Sequence, residues 1–233
     1  MFDLFTILYE GNYKSFFDEK KWFWTFKNKN LNNKILIINN LNNIDDFNNK
    51  VKSFEKTFEF KVVHVTKKTF DKFDVDYSKF RTASIYSLPY FTMIESCESE
   101  FLFCVNEDCM SDIHISEEYI KNSIKILKSD KNSFFTTVSW SNTENTGLLE
   151  MLNCNLSHHE TKFFYPTNSF SDQLFFCDIR KTKSINFNSK HHLYLGPKYC
   201  ENMCFEKKVM DFFKTYGKYR MVYKGKDYYK HNL

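Results

Sequence analysis

Apolar and polar positions alternate along the first third of this chain in blocks that predict a regular fold. Phe2 to Tyr9 is rich in residues that favour strands and ends at the turn signal Glu10-Gly11-Asn12. Ser15 is placed to cap a helix whose apolar stripe is Phe16, Phe17, Trp22, Phe23 and Phe26. Lys34 to Asn39 reads as a second strand. Asp45 then starts a helix with Phe47, Val51, Phe54 and Phe58 at helical spacing, and Phe60 to Val65 reads as a third strand. Strand, helix, strand, helix, strand predicts an α/β fold with a mostly parallel central sheet and helices on both faces.

The stretch from Tyr86 to Asp112 organises the rest. Pro89 suits the first turn of a helix, where its missing N–H costs nothing, and Leu88, Met93, Ile94 and Cys97 give that helix an apolar side. After Glu98 to Glu100, the run Phe101 to Val105 is apolar without alternation, as a central strand covered on both faces requires. It stops at Asn106-Glu107-Asp108. Ligands of open α/β sheets bind outside the carboxyl ends of the strands, so an acidic cluster there is in position for chemistry. Further on, Ser116 caps a helix with Glu117 and Glu118 in its first turn and Lys121, Lys125 and Lys128 later, complementing the dipole. Ser133 to Trp140 predicts another strand, followed by a polar loop from Ser141 to Gly147.

Composition narrows the picture. A chain of 233 residues is expected to form one domain, 1–233, with a sizeable core. Its 33 basic and 29 acidic residues leave a charge of +4, which demands neither nucleic acid nor a membrane surface as partner. No run reaches the ~18 apolar residues of a membrane helix, and the start lacks a secretory leader, so the cytosol is the expected location. The seven cysteines are odd in number, without CxxC pairs, and read as reduced core thiols. Abundant Asn, Lys and Ile suggest an AT-rich genome, so the Asn-rich run around 31–50 is read as folded. No glycine-rich phosphate loop follows the first strand; phosphates would have to be met by a metal or by cationic side chains.

Helix, apolar strand and terminal acidic triplet together resemble the metal-binding segment of GT-A-type glycosyltransferases, which use nucleotide-sugar donors and include enzymes of viral and bacterial surface polysaccharides. The usual triplet there is Asp-any-Asp, and Asn106-Glu107-Asp108 matches it at the last position. The resemblance implies that Asp108 ligates Mn²⁺ or Mg²⁺ shared with the donor diphosphate. Asn106 becomes a ribose or water-mediated contact, with weaker metal affinity expected because an amide replaces a carboxylate. Tyr9, just after the first strand, becomes a contact of the nucleoside base. Arg81 becomes a diphosphate contact, its guanidinium suiting phosphate bidentately. Residues 1–112 then form the half that binds the nucleotide sugar, with UDP-sugars the first choice, and 113–233 the half that binds the glycan acceptor.

Two further segments carry the resemblance. Ser171-Asp172-Gln173 before Leu174 to Phe176 is similar to an element that lies beside the reacting sugar, making Asp172 a candidate for acceptor binding or for the general base. The segment from His191 to Phe213 resembles one that brings a Glu to the start of a late helix, with Glu201 and Glu206 competing for that role. An inverting reaction would need one of these three carboxylates as base; a retaining one would not.

Other letters read as structure. Asp74 and Asp76 form a DxD, but no buried strand precedes them. His158, His159 and Glu160 lack HExxH spacing, and Cys200 and Cys204 with His191 and His192 could be written as a zinc site, although CxxxC at helical spacing is ordinary core. The end of the chain interleaves Lys218, Arg220, Lys224, Lys226 and Lys230 with tyrosines, a pattern that suits nucleic acid, anionic lipid or a basic lid over a diphosphate; His231 could join the metal. The alternative function is accordingly a noncatalytic nucleic-acid- or glycan-binding protein that uses this tail.

Overall fold

A computed structural model describes residues 1–66, 68–73, 84–140, 146–187 and 204–230. Its strands are β1 (Phe2–Leu8), β2 (Leu31–Ile38), β3 (Lys61–His64), β4 (Phe101–Val105), β5 (Ile113–His114), β6 (Ser133–Thr137), β7 (Ser139–Trp140), β8 (Phe164–Thr167), β9 (Leu174–Asp178), β10 (Tyr219–Tyr223) and β11 (Tyr228–Tyr229). Its helices are α1 (Tyr13–Glu19), α2 (Lys21–Thr25), α3 (Ile44–Glu55), α4 (Lys68–Lys72), α5 (Ser84–Ser96), α6 (Glu117–Ser129), α7 (Thr146–Asn153), α8 (Ile179–Lys183) and α9 (Phe205–Tyr216).

Eight strands form one sheet in the order β3-β2-β1-β4-β9-β6-β10-β8. β3, β2, β1, β4, β6 and β10 run in one direction, and β9 and β8 run against them. The fold is therefore a mostly parallel α/β sheet of Rossmann-like type. Successive residues of β1 feed opposite layers: Leu4 packs with Phe16, Phe23 and Phe47 of α1 to α3, whereas Phe5 packs with Phe91 and Ile94 of α5. The unbroken apolar run of β4 has the same cause, since Phe103 joins the first layer and Leu102 and Cys104 the second. A small sheet, β5-β11-β7, takes up the chain after β4, after β6 and near the end.

Several elements differ from the sequence expectation. The helix expected to run from Ser15 to Phe26 is two helices, broken at Lys20 (φ −85°, ψ 62°), and Asn12 rather than Ser15 stands at the first N-cap. Pro89 lies inside α5 rather than in its first turn. Burial of Leu88, Phe91, Met93 and Ile94 there outweighs the local helix-breaking preference. The single strand expected over Ser133 to Trp140 is split, β6 going to the large sheet and β7 to the small one.

The basic, tyrosine-rich tail is not a loose patch among the described residues. β10 is inserted between β6 and β8, Arg220 is buried, Lys224 pairs with Glu160, and Lys230 pairs with Asp112. Its aromatic periodicity is that of a strand, with the Tyr223 ring 5.5 Å from that of Tyr119. Cys97, Cys104, Cys109, Cys154, Cys177 and Cys204 are free thiols. No helix among the described residues is long and apolar enough to cross a membrane.

At the amino end of β1, Asp3 is fully buried and ties three segments together. Its Oδ1 accepts from Ser99 Oγ (2.8 Å), Asn33 Nδ2 (2.9 Å) and Asn32 Nδ2 (3.1 Å), and its Oδ2 from the backbone N–H groups of Glu98 (2.9 Å) and Ser99 (3.0 Å). At the other end of the chain, α9 stops at Gly217, whose φ of 59° and ψ of 37° form a left-handed cap; Lys218 N donates to Phe213 O at 2.9 Å. Gly217→Ala is expected to lower stability by about 1 kcal/mol, because a Cβ is strained at that φ, a shift that a denaturant titration reads as a lower midpoint at unchanged slope.

Candidate active site

Because β1, β2 and β4 are parallel neighbours, their carboxyl ends meet at one edge of the sheet, and the antiparallel β9 enters at that same edge. The chain segments leaving and entering these strands line a cavity of about 230 Å³. Tyr9, Asn12 and Asn39 come from the β1 and β2 side, and Tyr90, Asn106, Asp108 and Asp172 from the α5, β4 and β9 side.

The acidic triplet is shaped by a short 3₁₀ turn, Glu107–Cys109, which follows Asn106 in extended conformation. This turn separates the two acids. Glu107 Oε2 lies 4.0 Å from Lys20 Nζ, with both side chains mostly buried, so Glu107 meets the break between α1 and α2. Asp108 meets Gln173. With its nitrogen toward the carboxylate, the Gln173 carboxamide donates to Asp108 Oδ1 at 2.9 Å and to Oδ2 at 3.2 Å. Asn106 is engaged on two sides: its Nδ2 donates to the Tyr90 hydroxyl (2.9 Å) and to the Asp172 carbonyl (3.2 Å), and its backbone N–H donates to Gln173 O (2.9 Å). The Tyr90 ring is stacked on Phe205, the first residue of α9, at 4.9 Å and 7°.

This packing sets the electrostatics. Burial pushes the Asp172 carboxyl up to about 7; the charge of Glu206 and then that of Asp108 add to the rise, while the Tyr90 hydroxyl opposes it. Glu206 is also raised, by burial, with Lys207 and the Arg220 guanidinium acting against the shift. Arg220 reaches this neighbourhood from β10, where its Nη2 donates to Ser169 Oγ at 3.0 Å. On the β1 side, Asn12 Oδ1 accepts from Tyr9 N at 2.8 Å, whereas Asn12 Nδ2 is buried and has no hydrogen-bond partner among the described residues. A buried donor left in this state at a cavity wall is costly unless a ligand or water meets it. Tyr9 is half exposed.

Of the residues singled out in the sequence, the structure brings Tyr9, Asn106, Asp108 and Asp172 around one cavity and places Glu206 within electrostatic reach of Asp172. The late helix begins at Phe205 with Cys204 as its N-cap, not at Glu201, because the apolar repeat Phe205, Val209, Phe212 starts there; Glu206 therefore occupies its first turn. Arg81, Glu201, Asp74, Asp76, His191, His192, Cys200 and His231 lie outside the described residues. Asn39 and Tyr90 were missed by the sequence reading, which named Asn12 only within a turn signal, Gln173 only beside Asp172, and Arg220 only as one charge of the basic tail. Asn39 closes a strand and Gln173 follows Asp172, signals that could have found them. Tyr90 reads only as one more aromatic on an apolar helix.

Among the described residues no group of three or more His, Cys, Asp or Glu side chains could hold a metal ion by itself. The donor set at the tip is the Asp108 carboxylate clamped by Gln173. Such a set fits a hard divalent cation that takes its other ligands from a bound diphosphate and water, as Mg²⁺ commonly does, and does not fit a metal caged by protein alone.

No protein-family model matches the chain, and no curated protein matches it significantly. Solved structures do share its fold. S. aureus TarS 1-349 in complex with UDP is 13% identical, with a TM-score of 0.53, covering 100% of this chain and 60% of that one. The complex of the same protein with UDP-GlcNAc is 11% identical at a TM-score of 0.51, covering 100% and 59%. Mouse xyloside xylosyltransferase 1, in its apo form, is 10% identical at 0.51, covering 95% and 84%. This chain thus spans about 60% of the TarS 1-349 chain and 36% of the TarS chain not limited to those residues. With its strand order and the cavity at the carboxyl edge, the chain has the GT-A fold of nucleotide-sugar glycosyltransferases.

Proposed function

We propose that this protein is a glycosyltransferase that moves a sugar from a nucleotide-diphosphate sugar, with UDP-sugars the first choice, to a hydroxyl of a glycan acceptor. The observation that carries the reading is the pair of acidic segments, Asp108 after β4 and Asp172 before β9, laced together by Asn106 and Gln173 at the carboxyl edge of a GT-A sheet. The UDP and UDP-GlcNAc bound by TarS, which shares the fold, favour uridine donors. The binding-protein alternative is less favoured, because Arg220 is buried and Lys224 and Lys230 are paired, which leaves Lys226 as an exposed cation of the tail.

In this reading Tyr9 stacks on the base, the buried Asn12 Nδ2 donates to a base oxygen, and Asn106 offers its carboxamide oxygen to the ribose or a water. Asp108 is the protein ligand of Mn²⁺ or Mg²⁺, and Arg81 is assigned to the diphosphate. When bound, the cation supplies Lewis-acid stabilisation of the negative charge on the departing diphosphate. In an inverting transfer, the acceptor oxygen bonds to the anomeric carbon as the bond to the phosphate oxygen breaks, and the diphosphate leaves with the electron pair. Asp172 takes the acceptor proton. A carboxylate raised toward neutrality is a stronger base than an ordinary one, which suits that task. Glu201 and Glu206 are the other candidates for it, and residues 113–233 would form the acceptor side.

The test is a melting experiment with UDP, GDP and CMP, each with and without Mn²⁺. A nucleotide at ~100 times its dissociation constant adds about 2.7 kcal/mol. That corresponds to about 5–11 °C for a chain of this size. Stabilisation by one nucleotide family only with Mn²⁺, and its loss in Asp108→Ala, is expected. A protein that melts cooperatively and responds to none of them contradicts the reading.

A further inference from the structure

The residue that departs from the Asp-any-Asp triplet is built into the site by three hydrogen bonds that it donates. Asn106 Nδ2 donates to the Tyr90 hydroxyl at 2.9 Å and to the Asp172 carbonyl at 3.2 Å, and the Tyr90 hydroxyl in turn donates to the same carbonyl at 3.4 Å. One residue along, Asn106 N donates to Gln173 O, and the Gln173 amide clamps Asp108. Tyr90 is held flat against Phe205, which belongs to α9, and is buried. Three elements, α5, the end of β4 and the lead into β9, therefore converge on one side-chain amide.

The Asp172 carbonyl calls for a donor at this position. A carboxylate is acceptor-only when ionised, so it would face the Asp172 carbonyl with no hydrogen to share and would add a negative charge beside Asp108 and Asp172. We propose that Asn106 is a positioning residue that, with Tyr90, fastens the Asp172–Gln173 segment to the end of β4, so that restoring an acid at position 106 loosens the cation site at Asp108 instead of strengthening it. The clause about the cation rests on the glycosyltransferase reading; the fastening does not.

Two measurements separate these. The first uses the ligand-free protein: denaturant unfolding of wild type, N106A, Y90F and N106A/Y90F, with NMR of the Asn106 side-chain amide. The two single substitutions are expected to be less than additive, and Y90F, which removes one oxygen and little packing, is expected to shift the Asn106 amide resonances and speed their hydrogen exchange. Additive effects with an unmoved amide signal overturn the fastening. The second titrates Mn²⁺ in the presence of UDP, following free Mn²⁺ by electron paramagnetic resonance. N106D is expected to bind Mn²⁺ about 10-fold more weakly than wild type or worse, the size of loss typical when the groups that orient a metal ligand are disturbed. Tighter Mn²⁺ binding by N106D overturns the inference. Absence of Mn²⁺ and UDP binding in the wild type overturns the donor reading and the cation clause with it, while the first measurement still decides the fastening.

Discussion

Asp172→Asn is expected to lower sugar transfer by about 100-fold or more while leaving UDP affinity unchanged, the signature of a lost general base. The carboxyl is pushed up to about 7, first by burial and then by Glu206, so the wild-type rate should fall as pH drops through about 7. The variant should lose that limb. Stability moves in the opposite sense. A carboxyl raised in the folded state contributes stability that is fully present below its unfolded value near 3.8 and is lost as pH rises through about 7. Asp172→Asn should therefore be more stable than wild type at pH 8, with the advantage shrinking toward pH 4. Denaturant midpoints at several pH values, read beside initial rates, check both halves. A variant with wild-type rate would remove Asp172 from the role of base and pass it to Glu206 or Glu201; a variant less stable than wild type at pH 8 would contradict the raised carboxyl.

The largest effect on folding is expected at Asp3. Its carboxylate closes six hydrogen bonds, from two backbone N–H groups, two asparagine amides, a serine hydroxyl and the Cys97 thiol, all at the amino end of the sheet. Asp3→Ala leaves the N–H groups of Glu98 and Ser99 without that acceptor, for a loss of about 3 kcal/mol. A chain of this size would then melt about 6–12 °C lower. Burial acts to raise the Asp3 carboxyl, but the hydrogen bonds from Ser99, Asn33 and the Glu98 and Ser99 backbone outweigh it, and the net shift is downward. A lowered carboxyl contributes stability above its unfolded value near 3.8 and loses it as pH falls through the lower folded value. Acid titration of wild type should show a loss of stability below pH 4 that is reduced in Asp3→Ala. Because Asp3 lies at the edge opposite the cavity, nucleotide affinity of the folded variant should be unchanged.

The legible parts of this molecule were those that period and termination determine. β1, β2, β4 and the helices α3 and α6 follow from apolar runs and helical spacing, and the apolar run of β4 announced a strand covered on both faces. That the chain then turns at Asn106 to Asp108, at the carboxyl edge, followed from the abrupt polar stop. Tertiary packing decided what the sequence could not show. Lys20 interrupts a continuous aromatic stripe at the point where its Nζ meets Glu107. Pro89 is carried inside α5 by the apolar residues around it. The roles within the acidic triplet are also tertiary: only the 3₁₀ turn sends Glu107 back to Lys20 and Asp108 to Gln173. Arg220 looked like one charge in a basic tail until β10 was placed inside the sheet.

Transfer itself is the most direct measurement. The protein would be incubated with UDP-GlcNAc, UDP-glucose, UDP-xylose and GDP-mannose in turn, with Mn²⁺, and the release of nucleoside diphosphate followed by phosphorus NMR, for wild type and Asp108→Ala. Release of UDP from a UDP-sugar by wild type, absent in Asp108→Ala and accelerated by a glycan acceptor, is the expected result. Failure of the folded wild type to release a nucleoside diphosphate from any of these donors, or equal release by Asp108→Ala, would contradict a glycosyltransferase built around Asp108.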